Sequence, residues 1–111
     1  MTRAEIGARA LLEVMIERDR QQHKEGFTPE HDEQWTSGQM AGAAACYALY
    51  RSHVRPEEIM GEDLISMLWP WDDHWWNPKD RRRDLVRAAA LLLAEIERIY
   101  RAEAQADVGA K

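Results

Sequence analysis

The stretch DLVRAAALLLAEIERI, residues 84–99, decides the fold class, because its apolar residues recur at the spacing of an amphipathic helix. At about 1.5 Å per residue, its apolar stripe is roughly 21 Å long. Just before it, Asn77 is predicted to cap the helix, Pro78 to open it, and Asp80 to lie in its first turn. The predicted core stripe comprises Leu85, Ala88, Ala89, Leu92, Ile96 and Ile99.

The first part of the chain, residues 3–24, shows the same kind of periodicity and is predicted to be helical. Gly26 follows a charged turn and is a suitable C-terminal stop. The predicted apolar face comprises Ile6, Ala10, Leu11, Val14 and Met15.

The stretch from Ser37 to Arg51 predicts a second main helix, unusually rich in alanine. Its small side chains allow another helix backbone to come close, so we expect it in the middle of a bundle. It is also a natural contact for a homo-oligomer. Thr36 and Gln39 resemble a capping box at its start.

The remaining segments connect these helices. Thr28 and Pro29 form an N-cap pair that predicts a short helical turn. A short amphipathic helix is predicted from Pro56 to Leu68, and the irregular segment WPWDDHWWNP, residues 69–78, follows it. No strand pattern occurs. The sequence therefore predicts an all-α, bundle-like domain of three main helices and one short helix over residues 3–101, with a disordered tail at 105–111.

The composition narrows the function classes. The 111 residues carry a net charge of −5, which argues against broad nucleic-acid binding and against anionic membrane surfaces. The single cysteine, Cys46, excludes an intrachain disulfide and fits the cytoplasm. No signal peptide is recognisable, and the longest apolar run, residues 88–94, is too short for a membrane span.

Two clusters of His and Asp are candidates for metal or acid–base chemistry: His31 with Asp32, and Asp72 and Asp73 with His74. Each also has a purely structural interpretation. In this interpretation the first cluster belongs to a capped helical turn. The acids of the second cluster keep an exposed loop soluble, and Asp72 or Asp73 caps the turn that follows.

The four tryptophans of residues 69–78 either close one end of a small core or line a pocket at its edge. Trp75 and Trp76 are adjacent and must diverge, so one can enter the core while the other stays at the rim. Arg81, Arg82 and Arg83 suit a phosphate, although nearby acids also suit them. If the end of the first helix lies beside them, one electropositive pocket rimmed by tryptophan forms. Its predicted ligand-binding residues are Arg18, Gln21, His31, Asp32, Trp71, Trp75 and Arg82.

Three blocks together resemble a group of small, mostly uncharacterised phage and prophage proteins. They are ERDRQQHKEGFTPEHDEQW (17–35), SGQMAGAAACYA (37–48) and WPWDDHWWNPKDRRRDLVRAAALLLAEIERI (69–99). Their order is also similar, more distantly, to MazG-like all-α nucleotide pyrophosphohydrolases. That resemblance implies an oligomeric enzyme that uses Mg²⁺, held by carboxylates on two helices. Here the second helix has no acid, and the last helix offers only Asp80 and Asp84 before its next carboxylates, Glu95 and Glu97.

We therefore expect an accessory protein of phage type that binds an anionic small molecule, such as a nucleotide or a phosphorylated metabolite, without catalysis or cofactor. One alternative is a divergent Mg²⁺-dependent pyrophosphohydrolase that uses Asp80, Asp84 and either His31 or Asp32. Another is an interaction module that docks through its tryptophan segment.

Overall fold

The computed structural model describes residues 1–26, 28–54 and 63–109, and in these ranges the regular structure is entirely helical. The predicted all-α class with three main helices is confirmed. The predicted helix Pro56–Leu68 is described only from residue 63 onward, because residues 55–62 lie outside the described ranges. The elements are α1 (Arg3–Lys24), α2 (Pro29–Asp32), α3 (Gln39–Leu49), α4 (Leu64–Leu68), a 3-10 turn (Asp73–Trp75) and α5 (Arg81–Gly109).

The alanine-rich helix α3 lies at the centre of the fold, as its composition predicts. Ala43, Ala44 and Cys46 are almost fully buried, and α5 covers α3 along one side while α4 crosses it. Ala43 and Ala44 are therefore buried within the chain itself, and the predicted homo-oligomer stays a prediction. The predicted capping box is also absent: Gly38, with φ +84°, precedes the helix, and the Gln39 side chain accepts a hydrogen bond from the Ser37 N–H.

Helix α5 begins three residues later than the sequence predicts. The Asp80 carboxylate accepts the Arg83 N–H at 3.0 Å and so caps the helix in place of Asn77. The helix then continues to Gly109, whereas the sequence predicts a disordered tail from residue 105. Residues 102–106, which read AEAQA, are good helix formers and favour the extension.

The predicted core stripe of α5 is largely wrong, because the helix turns a different face inward. The buried residues are Asp84, Ala88, Ala90, Leu91 and Ala94. Four of the predicted core residues are instead between 42% and 48% exposed: Leu85, Leu92, Ile96 and Ile99. Small residues pack against the thin helix α3, while the larger aliphatic side chains remain on the outside.

The predicted apolar face of α1 is correct only in part. Val14 is half-buried, and Ile6, Ala10 and Val14 line a groove with Leu85 and Val86 of α5. Leu11 and Met15 are instead 69% and 64% exposed, and the buried residues of α1 are Arg18 and Gln21. Because α1 contacts mainly α5, one edge of its predicted apolar face stays exposed. No helix in the described ranges has the length and apolar character needed to span a membrane.

Candidate functional site

The tryptophan segment folds as a compact turn between α4 and α5. The Asp72 carboxylate accepts the His74 N–H at 3.0 Å and caps the 3-10 turn, and the Trp69 indole N–H donates to the Asp72 carbonyl at 3.1 Å. The hydrogen bond from the His74 N–H, followed by a contact to the His74 ring, lowers the pKa of Asp72. The acids between the tryptophans therefore organise the turn.

The aromatic side chains of this segment pack on Tyr47, a buried residue near the C-terminal end of α3. The ring centroids of Trp76 and Tyr47 lie 4.7 Å apart, and Trp69 meets Tyr47 edge-on with a centroid distance of 5.7 Å. Trp69 also meets Trp71 edge-on at 5.4 Å. Trp75 diverges from Trp76 and is 54% exposed. Adjacent tryptophans thus divide between the core and the rim.

An aromatic cavity of about 270 Å³ opens between this cluster and the end of α1. One buried polar side chain faces it without a full set of partners. Gln21 is 1% exposed, its Nε2 donates to Glu17 at 3.2 Å, and its Oε1 has no hydrogen-bond partner among the described residues. The cavity is lined by Gln21, Glu25, Tyr47, Trp69, Trp71, His74, Trp75, Asn77, Arg87 and Leu91.

A basic groove of about 410 Å³ lies next to the aromatic cavity, between α1 and the start of α5. Five cationic side chains and two carboxylates line it, so its charge is opposite to that of the whole chain. The cations are Arg20, Lys79, Arg82, Arg83 and Arg87, the acids are Glu13 and Glu17, and Ile16 and Val86 complete the wall.

The arginines of the groove differ in how firmly they are held. Arg20 is bound to Glu17 at 2.7 Å and to Glu25 at 2.9 Å, and the hydrogen bonds that it donates to the Glu17 carboxylate are the main cause that raises its pKa. Arg82 is 64% exposed and approaches Glu13 only to 3.8 Å. The guanidinium of Arg82 is therefore far more accessible to a ligand than that of Arg20.

Arg87 lines both the aromatic cavity and the basic groove. Its guanidinium lies 5.1 Å above the Tyr47 ring and donates to the Asn77 carbonyl at 2.7 Å. Its Nε is 3.7 Å from the Glu17 carboxylate. These contacts fix the guanidinium of Arg87 where the aromatic cavity and the basic groove meet.

The predicted ligand-binding residues separate into two groups. Gln21, Trp71 and Trp75 come together in the aromatic cavity, and Arg82 lines the adjoining groove. Arg18 and Asp32 are instead buried side by side as an ion pair at 3.2 Å.

His31 faces a separate pocket of about 290 Å³ beside the aromatic cavity. Its Nδ1 lies 3.3 Å from the Asp32 carboxylate, and its ring meets Trp35 edge-on. The pocket's other walls are Glu25, Trp35, Trp71, Asp72 and Trp75. His31 therefore stands on the far side of Trp71 and Trp75 from Gln21.

Two residues of the site were missed at the sequence level. Arg87 follows Arg83 by four residues, so helical spacing places it on the same face, and this signal was available. Tyr47 had no such signal, because its place beside Trp76 depends on how the tryptophan segment returns to α3.

The acidic residues of the enzymatic alternative are used to start α5. Asp80 caps the helix, and Asp84 is fully buried and accepts the Lys79 N–H at 2.8 Å. Within the described part of the chain, no group of three or more His, Cys, Asp or Glu is arranged to hold a metal ion. Comparison with protein-family models, curated proteins and solved structures gave no match to this chain.

Proposed function

We propose that this protein binds a nucleotide, with the base in the aromatic cavity and the phosphates in the basic groove, and that it does not hydrolyse it. One observation carries this function: Arg87 forms part of the wall of both spaces. An aromatic space for a flat ring and a cationic space for an anion therefore lie next to each other, as the two halves of a nucleotide require.

The aromatic cavity has the chemistry that a base needs. Indole and phenol faces stack on heteroaromatic rings, and Trp75 at the rim is exposed enough to close on one. A buried acceptor without a donor is costly, and the Gln21 Oε1 would gain a partner from an amino or imino group of the base.

The basic groove has the chemistry that phosphates need. Guanidinium groups bind phosphate oxygens through paired, charge-assisted hydrogen bonds, and Arg82 and Arg83 are both largely exposed. Lys79 adds a compact positive charge at the same wall. The distant resemblance to nucleotide pyrophosphohydrolases agrees with this class of ligand.

Calorimetric titration of the protein with a nucleoside triphosphate, the matching nucleoside and inorganic triphosphate tests this function, in buffer without Mg²⁺. We expect the intact nucleotide to bind most tightly, and Arg82→Ala to weaken it about tenfold while leaving the nucleoside unaffected. Trp75→Ala should weaken both. Arg3→Ala removes an exposed arginine outside the groove and should change neither. Absence of nucleotide binding at millimolar concentration contradicts the proposed function.

The enzymatic alternative is separated from simple binding by adding Mg²⁺ and measuring pyrophosphate release. Turnover that disappears in Asp84→Asn, with nucleotide binding retained, would favour the pyrophosphohydrolase. We expect no turnover, because the carboxylates of Asp80 and Asp84 are held by backbone N–H groups at the start of α5.

A further inference from the structure

The outer face of α5 carries an apolar stripe that the described part of the chain covers only in part, and Leu85 at its start also lines a groove with Ile6, Ala10 and Val14 of α1. Leu85, Leu92, Ile96 and Ile99 are between 42% and 48% exposed, and Ala89 lies between the first two. We call these five residues the outer stripe. They are spaced alternately by four and three residues, which is the heptad spacing of a coiled-coil seam.

Opposite charges stand at the two ends of the outer stripe, in the same heptad register. Arg82 precedes Leu85 by three residues and Glu103 follows Ile99 by four, and both side chains are exposed. At about 1.5 Å rise per residue, the two charges lie roughly 31 Å apart along the helix. The midpoint between them falls at Leu92 and Leu93.

We propose that two copies of this chain associate through the outer stripes of α5, with the two helices antiparallel and a two-fold axis near Leu92. In this arrangement Arg82 of each copy meets Glu103 of the other, so both ends of the interface are complementary in charge. A parallel arrangement would place like charges together at both ends. The charges at the ends of the outer stripe therefore match those of a second copy only when the two helices are antiparallel. This match identifies a second copy of the chain as the partner that covers the stripe.

The size of the surface fits a modest dimer. A stable interface buries about 800 Å² on each partner, of which somewhat more than half is apolar. Four half-exposed aliphatic side chains, with Leu93 and Tyr100 along the edge, supply most of such an apolar centre. Helix α5 is already folded against α3 and α1, so little ordering is needed on association.

Sedimentation velocity over a range of protein concentrations, without nucleotide, tests the dimer. We expect a concentration-dependent dimer and at least ~30-fold weaker association in Leu92→Lys, because the change occurs twice near the axis. Leu12→Lys places the same charge on the equally exposed outer face of α1, where Leu12 is 56% exposed, and should leave the dimer intact. A monomer at millimolar concentration, or loss of the dimer in Leu12→Lys, overturns the assignment.

Charge reversal tests the antiparallel direction. Glu103→Arg and Arg82→Glu should each weaken association about 3- to 10-fold, and the double variant should restore it. Additive weakening in the double variant would exclude the antiparallel arrangement. Circular dichroism of each variant checks that the helices are retained. Arg82 also lines the basic groove, but Glu103 does not, so Glu103→Arg separates loss of the dimer from loss of nucleotide binding.

Discussion

Gly42 of α3 lies directly beneath the backbone of Leu68 at the end of α4. A Cβ atom placed on Gly42 would stand 2.8 Å from the Leu68 carbonyl oxygen, well inside normal contact. The neighbour is a main-chain atom, so it cannot swing aside as a long side chain would. This close approach anchors the start of the tryptophan segment, which follows Leu68 immediately, on the central helix.

Gly42→Ala should therefore lower the free energy of unfolding by about 1–3 kcal/mol, because α3 and α4 must move apart. Gly7→Ala is the matched control: Gly7 is also within a helix, but a Cβ atom placed there would meet no other part of the protein within 4 Å. Alanine there should stabilise the protein by about 0.5–1 kcal/mol. Urea unfolding of both variants measures the difference, and equal effects would contradict the close packing.

Trp75 and Trp76 provide a second matched pair, because they are adjacent in sequence but differ in their surroundings. Trp76 packs against the core and stands 4.7 Å from Tyr47, so Trp76→Ala should cost about 2–4 kcal/mol. Trp75 is half exposed, and Trp75→Ala should stay within about 0.5 kcal/mol of the wild type. Thermal unfolding of the two variants tests this division. A large loss in Trp75→Ala would place it in the core.

The outcome for α5 shows what apolar spacing can and cannot predict. The spacing identified the helix and its apolar residues, but α5 carries two stripes, one of small residues and one of large residues. The prediction placed Ala88 in the core correctly, but it added Leu92 and Ile96, whereas the thin helix α3 accepts Leu91 beside Ala88. Which stripe faces inward depends on the partner helix, and a single helix sequence does not contain that information.

The candidate site was likewise predicted only in part from the sequence. Adjacent arginines and clustered indoles predicted a pocket of both chemistries, and Trp71, Trp75 and Arg82 do line neighbouring spaces. Arg18 was assigned to the site from its residue type and from its place near the end of the first helix. Its pairing with Asp32 depends on the turn after α1 bringing α2 back against it, a long-range contact that no local pattern encodes.

The N-cap of α5 can be tested by mutation, because the sequence predicts Asn77 as the cap and the structure shows Asp80. The Arg83 N–H donates to the Asp80 carboxylate and is the main cause that lowers its pKa. Asp80→Ala should therefore destabilise the protein at neutral pH, and this loss should fade as pH falls through the lowered pKa. Asn77→Ala removes only the cap predicted from sequence and should have a much smaller effect. Equal losses in the two variants, measured by urea unfolding, would contradict the position of the cap.

Asp32 offers a prediction about pH, because its carboxylate is fully buried beside Arg18 and His31. Burial raises the pKa of Asp32 above its ordinary value of 3.8, and this effect outweighs the hydrogen bond from His31 and the charge of Arg18. Between 3.8 and the raised pKa, the folded protein keeps a proton that the unfolded chain has lost. The contribution of Asp32 to stability therefore falls as pH rises through this interval, and is constant above it.

Asp32→Asn removes this titration without removing the side chain's volume. We expect the stability difference between wild type and Asp32→Asn to shift against the wild type as pH rises above 3.8, when urea unfolding is followed at a series of pH values. Other titrating groups affect both proteins alike and cancel in the difference. A difference that shifts in favour of the wild type with rising pH would mean that pairing with Arg18 outweighs burial.

Arg18→Met completes this test by removing the cation and keeping an aliphatic chain of similar length. The Asp32 carboxylate would then be buried without its ion-pair partner, so the variant should lose about 3–5 kcal/mol at neutral pH. The loss should shrink in acid, because protonated Asp32 needs no counter-charge, and the pKa of Asp32 should rise further. A loss that does not depend on pH would show that Arg18 stabilises the fold through packing instead of through its ion pair with Asp32.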